Sequence, residues 1–429
     1  MTRVRFDPAP ALKGTITAPP DKSISHRAAL FAAMSDEPVS IVNYLDAGDT
    51  NSTLDAIRAL GVLIQQRADE LVVRGGGMRS VQEVDGPIDV GNAGTLMRLL
   101  PGILAGQEGR FELTGDESLR SRPMDRVAEP LKRMGACIET TNGKPPVIVE
   151  GTDALKGIEY ALPMASAQVK SAILLAGLNA NGTTTVVEPA PTRDHTELML
   201  EAAGVRIRRR PNSVSIEPAG QLLLPEIQVP GDFSAAAPFI VAATLLAGSE
   251  LTIHDVGLNP RRTGLLDVLE RMGARVSVFN RRKVGGELIG DLEVHSAELT
   301  ATDVTEEEVP RLVDELPLFA LAAGVARGVS HVTGAGELRL KESDRIETVT
   351  NGLKTLGVRI QSRNDGFDVR GVPARPNGGR MLSDGDHRIA MLGAVAGVFS
   401  RDGVEVEGAD AVAISFPGFF DLLNSVSRR

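Results

Sequence analysis

One short pattern occurs five times along the chain, and this repetition limits the fold more than any other feature of the sequence. In each copy an apolar helical stretch ends, a glycine and a small residue follow, and strand-forming residues come next. Glycine suits the left-handed position after a helix, and β-branched residues favour strands. The copies are Leu60-Gly61-Val62, Met134-Gly135-Ala136, Ala203-Gly204-Val205, Met272-Gly273-Ala274 and Leu356-Gly357-Val358. The sequence therefore predicts an α/β fold made of repeated units.

Turns that open apolar helices precede these copies and reveal a sixth unit near the C-terminus. The openings are Pro20-Asp21-Lys22-Ser23, Gly91-Asn92-Ala93-Gly94-Thr95, Ala165-Ser166-Ala167-Gln168, Gly231-Asp232-Phe233-Ser234, a turn around Asp314, and Asp384-Gly385-Asp386. No glycine-and-strand pattern follows the last opening, whereas an additional strand-like piece, Val4 to Phe6, precedes the first. We expect this N-terminal piece to complete the sixth unit.

The chain length predicts two domains, because 429 residues exceed one compact domain. Gly/Pro-rich stretches near 13–20 and 225–231 are typical of linkers, so we expect the chain to cross between domains there. The predicted boundaries are 1–18 plus 232–429 for a discontinuous domain and 19–231 for an inserted domain. Each domain would then contain three units.

Composition excludes several classes of partner. The net charge of −10 argues against general affinity for nucleic acids and anionic membranes. The lone Cys137 excludes an internal disulfide and a cysteine-based metal site, and its apolar neighbours predict a buried side chain. The apolar segment 233–249 is too short to span a bilayer and is predicted to be a buried core helix. The N-terminal residues contain no continuous apolar stretch typical of a signal peptide, so a cytoplasmic location is expected.

Positive side chains gather at the helix openings, where the helix dipole disfavours them. They are Lys22, Arg27, Arg98, Lys170, Lys341, Arg345 and Arg388. Exposed backbone N–H groups at helix starts attract phosphate and carboxylate, so cations added there in an acidic protein predict binding of small anions. The alternative interpretation is that Asp, Asn and Ser at these turns only cap core helices.

Seven motifs in the same order resemble the enolpyruvyl transferase family, and specifically its shikimate-pathway branch. They are Asp21-Lys22-Ser23-Ile24-Ser25-His26-Arg27, Gly91-Asn92-Ala93-Gly94-Thr95 with Arg98, Arg122-Pro123-Met124, Ser166-Ala167-Gln168-Val169-Lys170, Arg193-Asp194-His195-Thr196-Glu197, Lys341-Glu342-Ser343-Asp344-Arg345 and Asp386-His387-Arg388. The resemblance covers essentially the whole chain. It implies a two-domain inside-out α/β barrel of six βαβαββ-type repeats, three per domain, that closes over a cleft. It also implies a monomer that needs no metal and no organic cofactor.

The resemblance implies transfer of the enolpyruvyl group of phosphoenolpyruvate to the 5-hydroxyl of 3-phosphoshikimate, with release of phosphate, on the route to chorismate and aromatic amino acids. It also implies inhibition by glyphosate in competition with phosphoenolpyruvate. The implied 3-phosphoshikimate contacts are Lys22, Ser23, Arg27, Ser166, Ala167 (through its backbone), Gln168, Arg193, Asp314 and Lys341. The implied phosphoenolpyruvate contacts are Lys22, Gly94, Arg122, Gln168, Arg345 and Arg388.

Two departures from the wider family are visible. Ile414 stands where some members carry a lysine that contacts phosphoenolpyruvate, so that contact is not carried over. Other members place two serines before the glutamine, where this chain has Ser166-Ala167-Gln168.

The implied reaction requires two proton transfers, one from the attacking hydroxyl and one to the methylene carbon. Asp314 resembles the family's base on the hydroxyl, and Glu342 resembles the group that handles the methylene proton. Lys22 is the other candidate for proton transfer. The structural alternatives are that Asp314 caps a helix and that Glu342 only forms an ion pair with Lys341 or Arg345.

Two other functions compete with this interpretation. The cell-wall relative, UDP-N-acetylglucosamine 1-carboxyvinyltransferase, usually carries a loop cysteine shortly before an Arg-Pro pair, and the segment 115–122 contains none. A non-catalytic six-repeat clamp around DNA would need positive charge along channel-facing helices. Here the charge is concentrated at helix openings, as binding of small anions requires.

Overall fold

The protein forms two compact units in the computed structural model, which describes residues 2–67, 70–224 and 226–427. The discontinuous unit comprises Met1–Pro19, Gly231–Arg282 and Leu288–Arg429. The inserted unit comprises Pro20–Pro230 and the short segment Lys283–Glu287. This short segment therefore belongs to the inserted unit, although the chain on both sides of it belongs to the other.

The strands are short, and most of them bury alternate side chains, as half-buried strands do. Among the described residues they are β1 (Arg3–Phe6), β2 (Lys13–Thr17), β3 (Val39–Val42), β4 (Leu63–Gln66), β5 (Glu70–Arg74), β6 (Ile88–Asp89), β7 (Arg110–Thr114), β8 (Cys137–Thr141), β9 (Lys144–Glu150), β10 (Glu159–Ala161), β11 (Thr184–Val187), β12 (Ile207–Arg210), β13 (Ser213–Ile216), β14 (Glu226–Gln228), β15 (Glu250–Gly257), β16 (Arg275–Val284), β17 (Glu287–His295), β18 (Val329–Val332), β19 (Arg359–Arg363), β20 (Gly366–Arg370), β21 (Gly379–Leu382) and β22 (Val404–Glu407).

The helices alternate with these strands along the chain. In the described ranges they are α1 (Lys22–Ala33), α2 (Gly48–Ala59), α3 (Gly94–Leu104), α4 (Glu117–Arg120), α5 (Asp125–Arg133), α6 (Ala167–Gly177), α7 (His195–Ala202), α8 (Phe233–Leu245), α9 (Gly264–Arg271), α10 (Leu316–Val325), α11 (Arg345–Thr355), α12 (His387–Phe399) and α13 (Phe419–Ser427). Short 3-10 turns occur at Val309–Arg311, Gly336–Leu340 and Ala409–Ile414.

The sheets of the inserted unit share one strand order within the part of the chain that is described. They run β14-β3-β5-β4, β6-β7-β9-β8 and β10-β11-β13-β12. The first two strands of each sheet are parallel, and the remaining neighbours are antiparallel. Parallel neighbours need a crossover connection, which α3 provides between β6 and β7 and α6 between β10 and β11.

The described sheets of the discontinuous unit are β16-β17-β15-β2, β18-β20-β19 and β1-β22-β21. Strand β1 pairs antiparallel with β22, so that Val4 lies opposite Val406. The N-terminal strand therefore belongs to the C-terminal sheet, whereas its role in completing a sixth repeated unit stays a prediction.

The glycines of the repeated pattern occupy left-handed backbone positions, which confirms the predicted helix ends. Their φ angles are +90° at Gly61, +103° at Gly135, +85° at Gly204, +92° at Gly273 and +86° at Gly357. A side chain at such a position costs energy because its Cβ approaches the following carbonyl oxygen.

Six helices are buried on nearly all sides and form the cores of the units: α1, α3 and α6 in the inserted unit, and α8, α10 and α12 in the discontinuous unit. Helices α8, α10 and α12 pack against one another. Almost the whole of α8 is buried, so the predicted core helix is confirmed. Among the described residues, none of the helices combines the length and apolar character needed to cross a bilayer.

Cys137 is exposed, so the prediction of a buried thiol is wrong. The residue lies on β8, the last strand of its sheet, where successive side chains point to opposite faces. Ile138 takes the buried face, which leaves Cys137 on the outer one.

Lys170 has a structural role, and the anion-binding interpretation is wrong for this cation. Its Nζ lies 2.7 Å from Oε1 of Glu197 and 3.1 Å from Oε1 of Glu188, and its side chain is fully buried. Two carboxylates thus already neutralise Lys170 inside the core of the inserted unit.

We predict that Lys170→Met lowers the free energy of unfolding by about 3–5 kcal/mol, because two carboxylates remain buried without their cation. Thermal and urea-induced unfolding would measure the loss. Lys132→Met, on an exposed position of α5, is the matched control and should change stability by less than about 0.5 kcal/mol. Equal stability of the two variants would contradict the structural role.

Candidate active site

Five of the residues predicted to bind or react lie together at helix starts in the discontinuous unit. Asp314 precedes α10, Arg345 begins α11, and Arg388 is the second residue of α12. Lys341 and Glu342 lie in the segment that leads into α11. Ion pairs with Asp314 or Arg345 connect the five residues into one group.

Arg345 is the centre of this group and has a side chain only 2% exposed. Its guanidinium lies 2.7 Å from Oδ2 of Asp386, 2.5 Å from Oε2 of Glu342 and 3.2 Å from Oδ1 of Asp314. Burial alone would lower the pKa of Arg345, but these three carboxylates outweigh it and raise the pKa above the usual arginine value. Arg345 is therefore a permanent positive charge in a fixed position.

Asp314 lies among four cationic groups of its unit, with its side chain 11% exposed. Besides Arg345, the nitrogens of Arg262, Lys341 and Arg388 lie 3.8, 3.9 and 3.9 Å from its carboxylate oxygens. The N-cap position of α10 is occupied by Glu315, whose side chain makes no capping hydrogen bond. Asp314 is thus not at the N-cap position that its structural alternative assigned to it.

Glu342 forms the ion pair with Arg345 that its structural interpretation requires. Such a contact does not exclude a role in proton transfer, because an ion pair also fixes the direction of the carboxylate. Lys341 Nζ lies 3.1 Å from Oε1 of Glu337, one helical turn earlier in the chain. Both side chains of this segment are thus oriented by neighbouring charges.

A second group of charged and polar side chains lies next to Asp314 and was not predicted from the sequence. Arg262 is buried and donates from Nη2 to Oδ1 of Asp232 at 3.1 Å and to Oγ of Ser234 at 2.8 Å. Ser234 also donates to Glu315, a buried carboxyl 3.6 Å from Arg388, and burial raises the pKa of Glu315. Arg262 lies just before α9, outside the six openings and the motifs named from the sequence, so only its tertiary contacts identify it.

Lys22 and Ser23 lie on the first turn of α1 in the inserted unit. Asp21 caps this helix by accepting from the backbone N–H of Ile24 at 2.8 Å. Lys22 Nζ lies 2.9 Å from Oδ2 of Asp49, which holds the ammonium group near the helix start.

Arg27 is buried one turn further along α1 and connects three helices. It donates from Nε to Oγ1 of Thr196 on α7 at 2.7 Å, and from Nη2 to Oγ of Ser171 on α6 at 2.9 Å. Its Nη1 donates to the carbonyl oxygen of Ser23 at 2.9 Å. Burial lowers the pKa of Arg27 to about 10, so the group stays charged at neutral pH. Arg193, just before α7, lies close enough for its charge to act on Arg27.

Gly94 begins α3 beside two arginines. A Cβ atom at this position would lie 2.8 Å from Nη1 of Arg98 and 2.9 Å from Nη1 of Arg122. Arg122 also donates to Oδ1 of Asn92 at 3.2 Å. The absence of a side chain at Gly94 therefore gives two guanidinium groups room at the start of α3.

Ser166, Ala167 and Gln168 form the start of α6. Ser166 caps the helix through the N–H of Val169, and Gln168 Nε2 donates to Oγ1 of Thr95 at 3.1 Å. The latter bond joins the first turn of α6 to the first turn of α3. The predicted residues of the inserted unit thus occupy the starts of α1, α3 and α6 and the segments before α5 and α7.

These groups are suited to anions. Arginine and lysine side chains lie beside helix starts, whose N–H groups and dipoles favour phosphate and carboxylate. In the described ranges no cluster of three or more His, Cys, Asp or Glu side chains is arranged to hold a metal ion.

Comparison with known proteins gives one consistent result. The model of the family described as EPSP synthase (3-phosphoshikimate 1-carboxyvinyltransferase) matches residues 6–423. The 3-phosphoshikimate 1-carboxyvinyltransferase of Alkalilimnicola ehrlichii is 48% identical over 97% of this chain and 93% of its own length. The protein of the same name from Bacillus subtilis is 43% identical over 99% of this chain and 100% of its own length.

Solved structures agree with the sequence comparison. The EPSP synthase of Acinetobacter baumannii superimposes with a TM-score of 0.88 at 42% identity, covering 99% of this chain and 98% of that one. The enolpyruvyl transferase NikO from Streptomyces tendae shares the fold, with a TM-score of 0.78 at 19% identity over 98% of this chain and 96% of its own. The relatives favour the shikimate-pathway branch over the UDP-N-acetylglucosamine branch and over a DNA clamp. The fold is α/β with mixed sheets, and the chain belongs to the EPSP synthase (3-phosphoshikimate 1-carboxyvinyltransferase) family.

Proposed function

We propose that the protein transfers the enolpyruvyl group of phosphoenolpyruvate to the 5-hydroxyl of 3-phosphoshikimate and releases phosphate. The family and the names of its relatives support this activity. The observation that carries it is the carboxylate of Asp314 among Arg345, Arg388, Lys341 and Arg262. Such a group offers cations for anionic substrates and, in the same place, a base for a hydroxyl group.

The proposed contacts follow the two sets derived from the family resemblance. Those with 3-phosphoshikimate are Lys22, Ser23, Arg27, Ser166, Ala167, Gln168, Arg193, Asp314 and Lys341. Those with phosphoenolpyruvate are Lys22, Gly94, Arg122, Gln168, Arg345 and Arg388. Together the substrates bring a charge of about −5 to −6, since each of the two phosphates carries about −1.5 to −2 and each of the two carboxylates about −1. Seven of the proposed residues are cationic, which is enough to balance that charge.

The proposed reaction begins when the 5-hydroxyl oxygen attacks C2 of phosphoenolpyruvate. Asp314 accepts the proton of the hydroxyl, and the methylene carbon gains a proton from Glu342 or Lys22, which yields a tetrahedral intermediate. The C–O bond to phosphate then breaks, the former methylene carbon returns a proton to the group that supplied it, which restores the double bond, and the proton held by Asp314 leaves with the released phosphate. Arg345 can orient both carboxylates, because its guanidinium contacts Asp314 and Glu342.

We also propose that the chain is a six-repeat inside-out barrel with the domains 1–18 plus 232–429 and 19–231. The shared strand order of the described sheets in the inserted unit supports a common repeat. We further propose that the protein is a cytoplasmic monomer that binds neither nucleic acid nor membranes, and the net charge of −10 supports the absence of such partners.

The activity is tested by phosphate release from purified protein with both substrates present. We expect release that depends on phosphoenolpyruvate and on 3-phosphoshikimate together. Release with UDP-N-acetylglucosamine in place of 3-phosphoshikimate would favour the cell-wall activity. A rise in melting temperature with duplex DNA but not with 3-phosphoshikimate would favour the clamp.

Lys22→Met should leave less than a tenth of the wild-type activity in a folded protein, because Lys22 is proposed to contact both substrates. The variant also removes the partner of Asp49, so its melting temperature must be measured beside its turnover. Lys132→Met should keep wild-type turnover. If the Lys22 variant retained more than a tenth of the wild-type activity, the proposed role of Lys22 in substrate binding and catalysis would be wrong.

Asp314→Ala should lower kcat by about 10²–10⁴-fold, the usual contribution of a general base. The dissociation constant for 3-phosphoshikimate, measured by calorimetry, should change far less. Asp314→Asn keeps the shape of the side chain and should lower kcat to a similar extent. Loss of binding with kcat intact would instead identify Asp314 as a binding or structural residue.

Gly94→Ala should raise the inhibition constant of glyphosate more than the KM for phosphoenolpyruvate. The added methyl group must displace the guanidinium groups of Arg98 and Arg122 and narrows the space for the longer ligand. Both constants and the melting temperature would be measured. Gly220→Ala, with no atom within 4 Å of the new Cβ, is the control. Equal shifts of the two constants would refute the steric explanation.

A further inference from the structure

A buried acid at the tip of a β-hairpin has no part in the proposed reaction. Glu287 follows the turn between β16 and β17, and its Oε1 lies 2.6 Å from Nδ1 of His195. The two side chains are 4% and 3% exposed. In the described part of the chain His195 Nε2 has no hydrogen-bond partner, so Glu287 provides the only hydrogen bond of this imidazole ring there.

The hairpin tip lies directly against α7 within the inserted unit. A Cβ atom at Gly286 would be 3.4 Å from the carbonyl oxygen of Leu198, and one at Gly285 would be 3.7 Å from that of Gln228. Both glycines have left-handed backbone angles, with φ of +56° at Gly285 and +88° at Gly286. Glycine therefore suits the tight turn, and the distances to α7 and β14 are those of ordinary van der Waals contact.

The first turn of α7 connects this tip to two proposed substrate contacts. Arg193 lies two residues before His195. Thr196, the next residue after His195, accepts the hydrogen bond from Nε of Arg27 at 2.7 Å. The negative charge of Glu287 also acts on Arg27 and favours its protonated form. A shift of this turn would move Arg193 and remove a partner of Arg27.

We propose that Glu287 is a positioning residue that acts through His195. The carboxylate holds the imidazole ring and with it the first turn of α7, which keeps Arg193 and Arg27 in place for the phosphate of 3-phosphoshikimate. This inference rests on the proposed function. Neither arginine belongs to the proposed contacts of phosphoenolpyruvate, so the effect is specific to one substrate.

Steady-state kinetics of Glu287→Ala and Glu287→Gln test the proposal. We expect Glu287→Ala to raise the KM for 3-phosphoshikimate by about 3- to 30-fold, the range of couplings through one contact, and to change kcat and the KM for phosphoenolpyruvate by less than about twofold. Glu287→Gln keeps an acceptor for the imidazole N–H and should restore that KM to within about threefold of wild type.

Asp368→Ala is the matched control, because His331 Nδ1 lies 2.7 Å from Oδ1 of Asp368 in the sheet of β18 and β20 of the other unit. Breaking that pair should leave both KM values unchanged. If Glu287→Ala does not fold, Glu287→Asp shortens the side chain and should give a smaller rise in the same KM.

Two outcomes would overturn the positioning role. Equal increases in both KM values would show a general loss of structure, and a lower melting temperature with unchanged KM values would show a purely stabilising contact. The proposed function fails separately, if wild-type protein releases no phosphate with both substrates. An active wild type whose Glu287 variants keep the wild-type KM for 3-phosphoshikimate refutes this inference alone.

Discussion

Burial of whole helices is the constraint on which the site depends. Helices α8, α10 and α12 are apolar on all sides because they pack against one another in the core of the discontinuous unit. An unpaired charge on the side of such a helix would cost several kcal/mol. On these three helices the charged side chains therefore stand at the ends, and the N-terminal ends also offer N–H groups to anions. The same arrangement in α1, α3 and α6 places the cations of the inserted unit.

Neighbouring carboxylates stabilise the arginine and lysine side chains that are grouped at these helix starts. Arg345 is held by Asp386, Glu342 and Asp314, and Lys22 is held by Asp49. Opposite charges a few ångströms apart stabilise one another strongly where water is excluded. The surroundings of the cations differ, since Lys170 is enclosed by Glu188 and Glu197 with its side chain fully buried, while Lys22 lies beside Asp49 and keeps 16% of its side chain exposed.

Contacts between distant parts of the chain set the finer geometry of the site. Arg27 bonds to Ser171 and Thr196, which follow it by 144 and 169 residues, and His195 meets Glu287 across 92 residues. Each bond joins the start of a helix to an element that the chain reaches much later. Rigid support of this kind is what orients a long, flexible side chain such as arginine toward a substrate.

The sequence by itself determined where several helices begin and end, because glycine after a helix and apolar runs bounded by capping residues are local signals. It predicted the left-handed glycines, the core helix α8 and the association of the N-terminal strand with the C-terminal part of the chain. The family motifs identified candidate site residues, and the roles of these residues stay predictions. The tertiary structure alone decided that Lys170 is neutralised, that Cys137 faces outward and that Arg262 and Glu287 take part in networks around the proposed site. Local patterns state which residues begin a helix, whereas the partner of a charge depends on which distant side chains the packed core brings within a few ångströms of it.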